Sequence, residues 1–275
     1  MRVKIILTKA LPPRGFFVQW TLKDVAAGDP TELAFRLERS GGPAGPWELV
    51  AEGLADRYAY LDEMPARPGA TDEDDTRANP FRLYQGLYYR VSAEAGGKTY
   101  EDVYEHGPEA TGRRAGIRRK AARDVRIGLE RLVGHEVVLL KRRTWGPRCT
   151  VCFDRKTGTT TRGGCKTCLG TTFVGGYWNP TRIFVRRLGG DSESTTGKPK
   201  TDGATVRLRT TDAPQIDQDD VLVDLRTNQR YRVLDRDEVS IGLEPVHQSF
   251  VAAELDRTHV VYHLRVDPRA AQPLY

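Results

Sequence analysis

"PRCTVCFDRKTGTTTRGGCKTCLG", residues 147–170, contains every cysteine of this 275-residue chain. Cys149 and Cys152 form one CxxC pair, Cys165 and Cys168 a second, and twelve residues, 153–164, separate them. A tetrahedral four-thiolate zinc site needs two short knuckles that each supply two ligands, joined by a ribbon long enough to fold back. Gly146, Pro147, Gly163, Gly164 and Gly170 stand around the pairs, where the backbone must turn tightly towards a metal. A secreted disulfide framework would follow a signal peptide, but "MRVKIILTKALPPRG" at the N-terminus has an apolar run of only three residues. A redox CxxC would stand as a single pair beside a βαβ pattern. Four thiolates leave no position open for water, so the expected zinc is structural and not catalytic.

Working outward, "HEVVLLKRRTWGPRC" reads as a strand entering the first knuckle, and "GTTFVGGYWNPTRIFVRRLGG" as a strand and glycine-rich exit after the second. The zinc element, residues 135–180, is thus expected between strands. Upstream, residues 106–134 carry a basic helix with a near-helical apolar stripe of Ile117, Ala121, Val125, Leu129 and Leu132. Thr111 is the expected N-cap and Gly134 the expected stop. Between Arg113 and Arg131 eight basic residues face two acidic ones, a net +6 that equals the net charge of the whole chain. Arg113, Arg114, Arg118, Arg119, Lys120, Arg123 and Arg126 form either a solvated face of a connector or a surface for an acidic protein or DNA phosphates. Few aromatic residues interleave with them, which argues against stacking on single-stranded bases.

Residues 181–275 read as a small antiparallel β-barrel. Val221, Val223 and Leu225 are expected on one strand face, a tight turn at Thr227–Asn228, and Tyr231 and Val233 answering on the returning strand. "RTHVVYHLRVD" supplies a last expected strand with Val260, Tyr262 and Leu264 alternating. The polar span 189–203 is expected to be a mobile loop. Residues 1–105 alternate in short runs separated by Gly, Pro and Asp clusters, the pattern of a β-sandwich. Phe16, Val18, Trp20 and Leu22 share a face, as do Leu33, Phe35 and Leu37, and then Tyr89, Val91 and Ala93.

Trp20, Trp47 within "SGGPAGPWELVAEGL", and "YYRVSAEAGG" followed by "KTYED" give residues 1–105 a resemblance to fibronectin type III domains. The tyrosine such domains place two positions before Tyr89 is Leu87 here, and the acidic stretch 72–75 falls in an inserted loop. Cys165, Cys168, Gly170, Gly175, Gly176, Tyr177 and Pro180 follow a "CxxCxG" pair running into "GGY" and a proline. This resembles a zinc-knuckle stretch in structural proteins of tailed bacteriophages. "DQDDVLVDLRTNQRYRVLDRDEV" is similar to the barrel core of phage head-closure and neck proteins, where "GD" opens a strand and "Y-x-V" lies on its partner. Asp219-Asp220 stands where the glycine-aspartate pair would be.

These resemblances imply a mainly β structural protein of the virion, a neck or head-tail connector component, assembled in the bacterial host cytoplasm. It would form an oligomeric ring and touch other neck, portal or tail proteins, with DNA as a further partner of the basic helix. A zinc-ribbon nucleic-acid-binding protein is the competing reading, and a tail or baseplate component or an adhesin using the sandwich is a third. No enzyme is expected. His106, His135, His247, His259 and His263 are scattered, and no GxSxG, P-loop, GxGxxG or HExxH motif occurs. The clusters "TDEDD" and "DQDD" are expected to be solvated loops. No small-molecule substrate is expected, and no run approaches the roughly 18 apolar residues of a membrane helix.

Overall fold

In a computed structural model of the chain, residues 1–11, 15–25, 33–55, 57–63, 87–105, 113–154, 156–157, 164–188, 204–241, 244–267, 269 and 271–273 are described. Residues 64–86, which include the acidic stretch 72–75 of the expected loop, the span 189–203, His106 and the expected cap Thr111 lie outside them. The chain divides into two compact units, residues 1–111 and 112–274. Among the described residues no helix is long and apolar enough to cross a membrane.

The described residues of the first unit form two antiparallel sheets. One has the order β1-β2-β5, from β1 (Arg2–Leu11), β2 (Gly15–Lys23) and β5 (Ala59–Asp62). The other has the order β4-β3-β6-β7, from β3 (Phe35–Ser40), β4 (Glu48–Leu54), β6 (Tyr88–Ala95) and β7 (Lys98–Glu105). The expected faces meet between the sheets: Trp20 packs on Phe35 with ring centroids 5.5 Å apart, and Phe16 on Tyr89 at 5.6 Å. The opposite face of β2 is buried too, at Phe17 and Gln19. Trp47 stays out of this core and lies under the Arg90 guanidinium, 4.5 Å from it. A buried polar knot ties the sheets together. Arg39 donates to both oxygens of Asp62 at 3.0 and 3.1 Å, and the Tyr89 hydroxyl donates to Asp62 at 2.9 Å. With Leu87 in the expected tyrosine position, Tyr89 makes the inter-sheet hydrogen bond itself.

The second unit starts with α1 (Arg113–Ile127), which runs into a π-helical turn, Gly128–Val133. Gly134 ends it in extended backbone, without a left-handed cap; a Cβ there would lie 2.2 Å from the Leu129 carbonyl oxygen. The expected apolar stripe is only partly covered. Leu129 is buried, whereas Ile117 is 50% and Leu132 78% exposed.

Six strands then close a barrel in the order β10-β13-β12-β11-β8-β9, with β9 and β10 pairing to complete the ring. They are β8 (His135–Leu140), β9 (Thr181–Arg187), β10 (Thr205–Thr211), β11 (Val221–Asp224), β12 (Arg230–Ile241) and β13 (Glu244–Glu254). A short β14 (Gln272–Pro273) adds to β9 in parallel. The barrel therefore draws its first strand from 135–140, on the N-terminal side of the cysteines, and does not begin at residue 181.

Val137, Leu139, Ile183, Leu222, Val233 and Phe250 fill the barrel interior. The outward side chains of β8 and β11, namely Val138, Leu140, Val221 and Val223, are buried as well, against Leu169, Tyr177, Leu255, Val260 and Val261. Burial on two faces explains why "HEVVLL" and "VLVD" read as continuous apolar runs. It also corrects the expected register. Tyr231 pairs with Leu222, so Tyr231 and Val233 share the inner face with Leu222, not with Val221 and Val223. The turn at Thr227–Asn228 is present, with Asn228 at φ 55° and its N–H donating to the Asp224 carbonyl at 2.8 Å.

The expected last strand is instead a 3₁₀ turn, Val260–His263. Asp256 accepts from the Thr258 N–H at 2.7 Å and His259 Nδ1 from the Val261 N–H at 3.3 Å, so the chain starts to coil there. Two adjacent valines can then both point inward. Buried Arg230 donates to the carbonyls of Val261 and Leu264, which pins this segment to the barrel.

The acidic cluster at 217–220 also departs from expectation, because Asp220 is 1% exposed. It accepts from Lys141 Nζ at 2.8 Å and from the N–H groups of Arg142 and Asp217 at 2.8 and 2.7 Å. Burial raises its carboxyl pKa, while Lys141 pulls in the other direction. Lys141→Met strands this carboxylate and is expected to cost about 3–5 kcal/mol of unfolding free energy. Lys141→Met with Asp220→Asn should recover at least half of that in denaturant melts; equal losses in both proteins would show the pair to be energetically idle.

His247 lies on β13 with both ring nitrogens buried and without a hydrogen-bond partner. Burial, then the charge of Arg209, lowers its pKa, while Asp212 acts the other way. Below about pH 6.5 the unfolded chain takes up a proton that the folded chain refuses, so this stability is present above that pH and lost as pH falls. His247→Leu should lose less stability than the wild type between pH 7.5 and 5.5; identical losses by urea denaturation would remove His247 as the cause.

Candidate metal centre

The cysteines belong to the connection between β8 and β9, residues 141–180, which forms a long hairpin arm on the barrel. Its two sides stay in register beyond the strands through antiparallel bridges Arg142–Tyr177 and Arg148–Phe173. Trp178 N–H donates to the Lys141 carbonyl at 2.9 Å, and Arg143 N–H to Gly176 at 3.1 Å. Stacked side chains reinforce the base of the arm. Trp145 and Trp178 lie 4.2 Å apart, and Arg143 sits over Trp178 at 4.3 Å while its Nε donates to the Tyr177 carbonyl.

At the far end the two CxxC segments face one another. The second knuckle turns through Leu169 at φ 51° and Gly170 at φ 84°, with the Leu169 N–H on the Cys165 carbonyl and the Thr171 N–H on that of Cys168, both at 2.9 Å. The first is anchored by the Cys149 N–H on the Thr172 carbonyl at 2.9 Å. Gly176 passes so close to the second knuckle that a Cβ would meet the Cys168 carbonyl oxygen at 2.8 Å. Arg148 is sandwiched between Phe153 at 4.7 Å and Phe173 at 4.1 Å, which roofs the site.

All four Sγ atoms of Cys149, Cys152, Cys165 and Cys168 lie within 4.8 Å of one another, and all four residues are buried. No disulfide joins them: Sγ–Sγ is 3.8 Å for Cys149–Cys165 and 3.2 Å for Cys152–Cys168. A metal–sulfur bond of about 2.3 Å in a tetrahedron spaces sulfurs by about 3.8 Å, so these residues form a four-thiolate set of the size that holds a metal ion. Their protonation agrees. Backbone N–H groups, that of Cys168 foremost, lower Cys165 to about 6, whereas burial raises Cys152 and Cys168. A cluster that readily bears one thiolate must shed further protons when a cation enters.

The expected basic surface is described only in part. Lys120 and Arg123 are exposed, and Arg126 is half-buried, 3.7 Å from Glu130. Arg113, Arg114, Arg118 and Arg119 lie on α1, but their side chains are outside the described set. The structure adds Lys141 and Arg142, which no motif marked: with Asp219 and Asp220 they form one charged cluster at the foot of the arm, with Arg142 on Asp219 at 2.5 Å. Burial raises the neighbouring Tyr177 phenol to about 12, so it stays protonated.

Comparison with known protein families and with curated proteins gives no match for this chain.

Cys165→Ser removes one ligand and should lower bound metal from one ion per chain to well below one, by elemental analysis of protein purified without chelator. Hydrogen exchange in residues 164–178 should rise with it. A wild-type protein that carries no metal, or an unchanged exchange pattern in the variant, would contradict the assignment.

Proposed function

We propose that the chain is a structural protein of a tailed-phage virion, a component of the head-tail neck that forms a ring through its barrel and its cysteine arm. The metal in this reading is zinc, which suits four thiolates and a closed tetrahedron without redox chemistry. Residues 1–105 are then a fibronectin type III-like sandwich, a label supported by seven strands in two antiparallel sheets.

The observation that carries the reading is the backbone at Asp219. The resemblance puts a Gly-Asp pair at the start of a strand, opposite Y-x-V. Asp219 has φ 67°, the left-handed region that glycine prefers, and Asp220 leads directly into β11. Both are bonded to Val233, the valine of Tyr231-Arg232-Val233: Asp219 N–H donates to its carbonyl at 2.9 Å, and its N–H donates to Asp220 at 2.8 Å. A backbone conformation that glycine favours, at the position where the pattern has glycine, supports the resemblance.

A zinc-supported nucleic-acid module is the second reading, favoured by exposed Lys120 and Arg123 within a segment of net +6. The two readings separate in one pair of measurements. A neck component should be present in purified virions in a fixed copy number and should appear in an electron-microscopy map next to the portal. Density only at a distant baseplate would remove the neck, and absence from virions the whole reading. Salt-dependent binding of short duplex DNA by a protein missing from virions would favour the second.

A further inference from the structure

The barrel closes on a narrow seam. Among the described residues β9 and β10 pair at two positions, Leu208 with Arg187 and Arg209 with Arg186. Leu208 fills the interior, so Arg209 and the directly opposite Arg186 both face outward. Like charges set opposite one another on neighbouring strands repel. The other outward arginines of these strands are neutralised: Arg182 lies 3.3 Å from Glu136 and Arg207 3.5 Å from Asp237. Among the described residues no carboxylate does this for Arg186 or Arg209, and the Arg209 Nε is buried without an acceptor.

The adjoining face carries the same sign of charge. One pair further along it, His247 stands opposite Thr211 with both ring nitrogens buried and unpartnered. The charge of Arg209 acts on that ring more strongly than the charge of Asp212, so the field there is positive. α1 packs against β10 and β13, and it presents exposed Lys120 and Arg123 against one exposed carboxylate, Asp124. The Glu130 carboxylate is occupied by Arg126 at 3.7 Å.

The counter-charge for this face must come from outside the described fold. A single small oxyanion would serve the seam and leave Lys120 and Arg123 unmatched. A phosphate backbone serves both, because it repeats its charge along its length and demands no particular base. Guanidinium groups also match phosphate oxygens in a bidentate geometry.

We propose that the outer face of the β9–β10 seam binds the phosphate backbone of duplex DNA, with Arg186 and Arg209 on one phosphate and Lys120 and Arg123 of α1 on others. The proposal rests on the nucleic-acid reading above and adds the barrel surface on which the DNA lies. Bound phosphate relieves the repulsion between the two arginines, so it also holds the barrel closed.

The test is fluorescence anisotropy of a short labelled duplex, titrated with metal-loaded full-length protein at several chloride concentrations. Wild type should bind with an affinity that falls steeply as salt rises. Arg186→Gln and Arg209→Gln should each weaken binding severalfold and reduce the slope of log affinity against log salt by about 1. Arg182→Gln and Arg207→Gln make the same charge change at arginines already paired with carboxylates, and should leave that slope unaltered. Without DNA, Arg186→Gln should melt no lower than wild type, because it removes a repulsion and no partner. If Arg209→Gln does not fold, exposed Arg186 carries the comparison alone. Equal weakening by all four variants, or a wild-type slope in Arg186→Gln, overturns the proposal and leaves the nucleic-acid reading standing. Wild type without salt-dependent binding removes both. A lower melting temperature for Arg186→Gln, or displacement of the duplex by poly-glutamate at equal charge concentration, overturns the proposal as well, the second in favour of an acidic protein.

Discussion

The four-thiolate cluster is the constraint on which the second unit depends, because β8 and β9 are neighbours in the barrel yet joined by forty residues, 141–180. Closing a connection of that length costs roughly 3 kcal/mol more than closing a two-residue turn. Its base is packed by Trp145 and Trp178, but around the cysteines the apolar filling is slight, chiefly Phe153. A metal ion held by four such thiolates would contribute on the order of 10 kcal/mol, comparable with the whole stability of a typical domain. That gain would reach the barrel. Leu169 sits beside Cys168, and with Tyr177 it covers the outer face of β8 and β11. A loosened knuckle therefore uncovers a face that the barrel cannot expose without loss, so the arm and the barrel hold together as one cooperative piece.

Away from the metal, buried charges fasten parts of the chain that are distant in sequence. Lys141 joins the foot of the arm to the loop before β11, Arg230 holds the C-terminal segment by its carbonyls, and Arg39 with Tyr89 meets Asp62 across the two N-terminal sheets. Each links elements that hydrophobic burial alone would leave free to slide. Such groups add little net stability compared with a well-packed apolar substitute, but an unpaired partner is heavily penalised. They select one arrangement more than they deepen it.

What was legible in the sequence was local. The CxxC pairs declare themselves by spacing, and the alternation around Tyr89 marks a strand with one dominant buried face. The register of β11 on β12 was not legible, because residues buried on both faces carry no alternation to read. Val260–His263 alternated by accident, and the turn that coils it is set by Asp256 and His259, whose side-chain bonds are invisible in a hydropathy pattern. Asp220 looked solvated because its partner, Lys141, is 79 positions away.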